Sequence, residues 1–128
     1  MSVSATAKNV RVSPRKVGVV AGLVRGRSVA DAVIILEHTP RRAALPVKKV
    51  IESARANADH NHDYKPDSLT ITAITVTPGT RYKRYRPVAR GMAHKYQHRT
   101  SIISVTVDGA KREAKKPAVK TEPAKETK

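Results

Sequence analysis

Cysteine, tryptophan and phenylalanine are all missing from this chain, and each absence removes a class of explanation. Without cysteine there are no disulfides and no thiolate metal ligands, which suits an intracellular protein. With aromatics at 3%, the core has to be built from Val, Ile, Leu and Ala, a modest apolar supply for 128 residues. No run of about 18 apolar residues occurs, so no bilayer-spanning helix is predicted. The opening MSVSATAKNV lacks the charged start and apolar core of a secretory signal. Acids are scarce: 10 Asp and Glu stand against 26 Lys and Arg, a formal net charge of +16. Such a chain repels itself when compact, so a polyanionic partner is expected. Catalytic signatures are missing too, with no phosphate loop, no G-x-S-x-G and only scattered acids. Asp31, Glu37, Glu52 and Asp59 read as helix solubilisers or caps, and neither an enzyme activity nor a cofactor is expected.

What is present is a succession of short patterned segments. Val10 and Val12 alternate with Arg11, which predicts a short strand with a basic outer face. Ser13-Pro14 starts a helix with Val17, Val20, Ala21 and Val24 on one side. Gly26 is placed to end it in a left-handed conformation. Ser28 and Asp31 form a capping arrangement for a second helix, with Val29, Val33 and Leu36 inward. A third helix is expected from Thr39-Pro40 to about Asn61, with Ala43, Val47, Val50, Ala54 and Ala58 inward. Pro46 should kink it or shift its start. Leu69, Ile71 and Ala73 then alternate, and the apolar phase switches to Ile74 and Val76, which predicts a bulge. Ile103, Val105 and Val107 form a last strand. Residues 1–108 thus read as one domain, and 109–128, almost only Ala, Lys, Glu, Pro and Thr, as a disordered basic tail.

Between the last two strands lies TPGTRYKRYRPVARGMAHKYQHRTS, residues 77–101, which holds no acid at all. Setting Thr77 opposite Ser101 puts a turn near Ala89 and makes a hairpin of about 78–100, each arm projecting about 30 Å. A ribbon of that length cannot bury itself in its own domain. Arg81, Lys83, Arg84, Arg86, Arg90, Lys95 and Arg99 suit phosphates, while Tyr82, Tyr85 and Tyr96 offer faces for bases. A soluble surface ordinarily mixes both signs of charge, and this one does not. Val88, Ala89, Met92 and Ala93 make the tip less charged than the arms.

Other constellations are weaker. Arg15 and Lys16 fall in the first turn of a helix, where the dipole disfavours cations unless a phosphate is near. Arg25 and Arg27 flank a helix end, where cations are favourable in any case. Arg41, Lys48 and Arg55 recur every seventh residue, either facing RNA or forming a solvated face. Residues 59–63, DHNHD, place His60 and His62 where a helix would make them diverge, so a polar helix end is the better reading than a metal site. Gly18 and Gly22 suit close helix–sheet packing.

KNVRVSPRKV, LVRGRSVADAVIILEHTPRRAALPVKKVIESARANADHNH and KRYRPVARGMA with HRTSI, in this order between about Lys8 and Val107, resemble the bacterial large-subunit ribosomal protein L-twenty-two family. The resemblance implies an α+β fold, three helices packed on a small three-stranded antiparallel sheet, with a long protruding β-hairpin. It implies a structural component of the large ribosomal subunit, cytoplasmic and ribosome-bound, that binds 23S rRNA and assists assembly. Its hairpin would line the nascent-peptide exit tunnel. The implied partners are that rRNA, neighbouring large-subunit proteins and the nascent peptide, with no membrane. The implied rRNA contacts fall on Arg11, Arg15, Lys16, Arg81, Lys83, Arg84, Tyr85, Arg86 and Arg99, and Arg25, Arg27, Arg90, Lys95 and His98 are further candidate rRNA-binding residues. The tunnel tip falls on Val88, Ala89, Arg90, Gly91, Met92 and Ala93. A free nucleic-acid-binding module is the rival from another class. An anionic-membrane binder would need a basic helix with large apolar residues, which is lacking.

Overall fold

The computed structural model describes residues 2–112. Its elements are β1 (Val3–Val10), α1 (Pro14–Val24), α2 (Val29–His38), α3 (Ala44–His62), a 3-10 turn at Pro66–Ser68, β2 (Thr70–Pro87) and β3 (Ala93–Asp108). The strands make one antiparallel sheet in the order β1-β3-β2. Together these are the expected three helices on a three-stranded sheet with a long hairpin.

The helices start and stop for local reasons. Ser13 is extended before Pro14, and its carbonyl accepts from Lys16 N (3.0 Å) and Val17 N (3.2 Å), although its hydroxyl caps nothing. α1 then buries Val17, Val20, Ala21 and Val24. Gly26, at φ 75°, turns the chain in a conformation that a Cβ would strain. Ser28 Oγ accepts from Asp31 N (3.1 Å) and donates to Asp31 Oδ2 (2.7 Å), starting α2. Ala32 is buried there beside Val29 and Leu36, while Val33 is only half-buried. Lys48 Nζ donates to Glu37 Oε1 at 2.7 Å and ties α2 to α3.

Two expectations are corrected. The first strand is Val3–Val10, not the Val10–Val12 segment. Val3, Ala5 and Ala7 stand opposite Val107, Val105 and Ile103. The register shifts after Ala7, and Asn9 turns to φ 57°, so Arg11 and Val12 lie in a bend rather than a ladder. The third helix begins at Ala44 rather than Thr39. Arg41 N bonds Thr39 O (2.7 Å) and Ala44 N bonds Arg41 O (2.9 Å), making 39–43 a turn. Pro46 therefore falls in the first helical turn, where its missing N–H has no intrahelical partner to lose. Of the two outcomes expected of Pro46, the shifted start is the one realised, and a kink has no cause.

Ile71 and Ile74 are both buried and Ala73 is exposed, because the register shifts between Ile71 and Ala73, the expected bulge. Ile103, Val105 and Val107 are fully buried. The outer edge of β2 is covered by the α1–α2 turn: Gly26 N bonds Ile71 O, Ile71 N bonds Arg27 O and Val29 N bonds Leu69 O, at 2.9–3.1 Å. α3 ends at Asp63 in the left-handed region, φ 54°. The His62 ring meets Tyr64 edge-on at 6.4 Å, and DHNHD is the end of a helix. Residues 109–112 lie against that end. Lys65 N bonds Ala110 O (3.0 Å), Arg112 Nη2 pairs with Asp59 Oδ1 (2.9 Å), and Lys111 Nζ sits 6.0 Å from the Tyr64 ring centre. The rest of the expected tail, 113–128, lies outside the described residues.

Candidate nucleic-acid interface

β2 and β3 outrun the rest of the sheet. β1 stops pairing with β3 at Ser101, which stands opposite Pro78 on the other side, one residue from the expected Thr77. Beyond that point only β2 and β3 continue, from Arg81 opposite Arg99 to Pro87 opposite Ala93. The two arms reach about 30 Å past the sheet at ordinary strand rise. The turn closes with Val88 N donating to Met92 O (2.9 Å), and Arg90 and Gly91 take φ 60° and 66°. This centres the turn one residue beyond Ala89.

The hairpin leaves the domain through a tight crossing. At Gly79 a Cβ would lie 2.6 Å from Thr100 Oγ1. That hydroxyl is committed, donating to Thr80 O at 2.7 Å, and Thr100 is buried. Glycine therefore lets the two arms approach where the register shifts between Pro78 and Arg81.

Cross-strand pairing arranges the arm side chains. Arg81 faces Arg99, Tyr82 faces His98, Lys83 faces Gln97, Arg84 faces Tyr96, Tyr85 faces Lys95 and Arg86 faces His94. Like charges directly opposite one another destabilise a ladder, and no acid lies anywhere in 77–101 to offset the Arg81–Arg99 pair. Arg86 lies over the Tyr96 ring at 5.2 Å, Arg84 over Tyr82 at 6.0 Å, and Tyr96 meets His98 edge-on at 5.2 Å. The two cation–ring contacts keep Arg84 and Arg86 close to the ribbon's own tyrosines. Tyr85 is 63% exposed and is the tyrosine whose face stays open.

Three adjoining clefts join the ribbon's base to the N-terminal bend. One of about 230 Å³ sets Arg15 beside Arg81 and Arg99. The next, about 340 Å³, is lined by Asn9, Arg11, Tyr82, Arg84 and His98. The third, about 480 Å³, gathers Arg11, Lys16, Arg41 and Arg42 around Val12 and Ser13. The bend that replaces the expected basic strand thus carries Arg11 onto the hairpin's flank. Arg41 and Arg42 come into the cluster from the turn before α3, and the pair RR directly after Thr39-Pro40 was the available signal. Lys48, of the seventh-residue stripe, is instead held by Glu37 and Glu52.

Arg25 and Arg27 stand apart from this cluster, at the α1–α2 turn. Arg25 Nη2 donates to Ile74 O (3.1 Å) and Arg27 Nε to Leu23 O (3.0 Å). Arg90 is exposed in the turn, Lys83 and Lys95 are exposed on the arms, and Val88 and Met92 are 48% and 67% exposed at the tip. Gly18 and Gly22 lie on an open helix face with nothing within 4 Å of a built Cβ, so helix–sheet packing does not explain them. Among the described residues no helix is long and apolar enough to cross a membrane.

Comparison with known proteins agrees with this geometry. The large ribosomal subunit protein uL22 of Oceanobacillus iheyensis is 48% identical over 107 residues, covering 84% of this chain and 95% of that protein. The protein of the same name from Herpetosiphon aurantiacus is 45% identical over 108 residues, covering 84% and 96%. The family model described as ribosomal protein L22p/L17e matches residues 5–108, from the first strand through the hairpin to the end of β3. The chain therefore belongs to the ribosomal protein L22p/L17e family, a family of ribosomal components and not of enzymes.

Proposed function

We propose that this chain is built into the large ribosomal subunit by binding 23S rRNA and that its hairpin threads the RNA to reach the nascent-peptide exit tunnel. The observation that carries the reading is the Arg81–Arg99 pair beside Arg15. Three guanidinium-bearing residues line one cleft at the hairpin's root, and no acid in 77–101 balances them. An external anion satisfies that arrangement, and rRNA phosphate supplies it in bidentate geometry. Arg11, Lys16, Arg41 and Arg42 extend the same footprint around the N-terminal bend. Lys83, Arg84, Arg86, Lys95 and His98 carry it along the arms, and Tyr85 offers a stacking face to an unpaired base.

The tip has a different role in this reading. Val88, Ala89, Gly91, Met92 and Ala93 leave Arg90 as the single cation there, a small and largely apolar surface suited to a passage wall that a nascent peptide slides along. Clamping RNA around the ribbon also assists assembly, because it fixes RNA segments against one protein surface. Arg25 and Arg27 add donors at the α1–α2 turn beyond those they give to carbonyls. Neighbouring large-subunit proteins complete the surroundings on cytoplasmic ribosomes.

The test is binding of the full chain to large-subunit rRNA with Arg84, Arg86 and Arg99 replaced by Ala. Loss of three charge-assisted contacts should weaken affinity on the order of a hundredfold, while Lys65→Ala, beyond the far end of β3, leaves it unchanged. Wild-type affinity in the triple variant would sink the proposal.

A further inference from the structure

The two edges of the sheet are treated differently. That of β2 is covered at its start, where the α1–α2 turn bonds Leu69 and Ile71 and Arg25 bonds Ile74 O, whereas β1 pairs only with β3, and its outer edge bonds to no strand among the described residues. Native edges are ordinarily blunted by charge, proline or a bulge. From Val3 to Ala7 this one has no charge and no proline, and the register shift comes only after Ala7. Alongside it runs a groove of about 230 Å³ between β1 and α3, lined by Ala5, Thr6, Ala7, Pro46, Lys49, Val50 and Ser53. Its lining is small and mostly apolar, with Lys49 as its single charge.

We propose that this edge and groove receive an extended segment of another protein, added to the sheet as a fourth strand beside β1. Strand addition supplies partners for the unpaired backbone groups, and alternate side chains of the incoming strand enter the groove next to the edge. The lining chooses those side chains: Ala5, Ala7 and Val50 leave room for residues of Ala or Val size. Lys49, with Lys8 at the end of the edge, favours an acidic residue in the incoming strand. A second copy of this chain is disfavoured by its own +16 charge. RNA is disfavoured because it offers phosphate to an apolar groove and cannot continue a β-ladder. The occupant is therefore a different protein with an extended, acid-bearing segment. On the ribosomal reading above it is a neighbour in the same subunit.

The experiment places a benzophenone amino acid at Ser53, which is exposed, and in a separate chain at Tyr85 on the hairpin arm. Both chains are incorporated into large subunits, salt-washed and irradiated. The Tyr85 probe should attach to rRNA, which reports on the proposed function independently. The Ser53 probe should attach to one protein, through one peptide that contains an acidic residue. Adding Lys49→Glu should lower that yield at least fivefold without altering the Tyr85 product. Attachment from Ser53 to rRNA, to a second copy or to residues 113–128 of the same chain would overturn the proposal, as would no protein product from subunits in which the Tyr85 probe succeeds.

Discussion

At the residue scale the most constrained position is Gly79. A methyl group there meets Thr100 Oγ1 at 2.6 Å and leaves that hydroxyl only the choice of rotating away from Thr80 O. Thr100 is 2% exposed, so its hydroxyl, turned from Thr80 O, is left in a buried position without its acceptor. Gly79→Ala should therefore destabilise the fold by about 1–2 kcal/mol, and Gly79→Val by more. A melting temperature equal to wild type in the alanine variant would show that the arms have slack at the crossing. Deep in the core the cost is larger. Ile51 is fully buried on α3, and Ile51→Ala should cost about 2–5 kcal/mol, read from denaturant unfolding. The arm arginines should behave in the opposite way. Arg81→Ala removes one member of a like-charge pair and should leave the free chain as stable or slightly more stable while weakening RNA binding.

At the scale of elements, what the sequence made legible was whatever rested on one strong local signal. Ser13-Pro14, Gly26 and the Ser28–Asp31 exchange all stand where expected, because capping and left-handed turns are decided within a few residues. The hairpin was legible because two β-branched runs enclose a stretch without acids. The first strand was misplaced because its inward residues after Val3 are Ala5 and Ala7, whose alternation with Ser4, Thr6 and Lys8 is faint beside that of Val10 and Val12. The α3 start depends on the 39–43 turn; the RR pair marked Arg41 and Arg42 as basic, but their gathering with Arg11 depends on tertiary contact. The docking of 109–112 rests on Asp59 and Asp63, distant in sequence. One tie between elements is testable by titration. The hydrogen bond from Lys48 holds the Glu37 carboxyl below its ordinary pKa, and the same bond raises that of Lys48. The pair's contribution is complete above Glu37's ordinary pKa and is lost as pH falls through its lowered value. At high pH it is lost again through the raised Lys48 value. Glu37 is exposed and Lys48 only half-buried, so solvent screens the pair and the effect on stability is small. Lys48→Met should return the Glu37 titration, followed by carboxyl NMR, to the ordinary range, and an unmoved midpoint would refute the tie. On the proposed function the tip does a different job from the arms. Val88→Ser with Met92→Ser keeps the Val88–Met92 backbone bond and should permit subunit assembly while altering stalling by tunnel-sensing peptides, scored in translation. Failure of this variant to assemble would assign the tip to RNA binding instead.

At the scale of the whole molecule, charge governs stability and binding with opposite signs. The chain folds despite a net charge of +16 and a core made almost wholly of Val, Ala, Ile and Leu, with Tyr64 as its one buried aromatic. Much of that charge is concentrated on the ribbon and the clefts at its root, so the ribbon of the free molecule carries self-repulsion with no acid in 77–101 to relieve it. Added salt screens that repulsion, the Debye length falling from about 30 Å at 0.01 M to about 8 Å at 0.15 M, and the melting temperature of the free chain should rise over this range. Binding to rRNA should move the other way. Each neutralised phosphate releases a counterion, so with about 6–10 phosphate contacts the affinity should fall by about 10³–10⁵ between 50 and 200 mM salt. Replacing Arg84, Arg86 and Arg99 with Ala should flatten that slope by about two to three, and it should raise the melting temperature at low salt because three repelling charges are gone. One salt titration of the two chains, with melting and rRNA binding read on the same samples, checks all four trends. A binding constant insensitive to salt would mean that phosphate contacts are not the source of affinity. A melting temperature that falls with salt would mean that the ribbon's charges are already paired within the molecule.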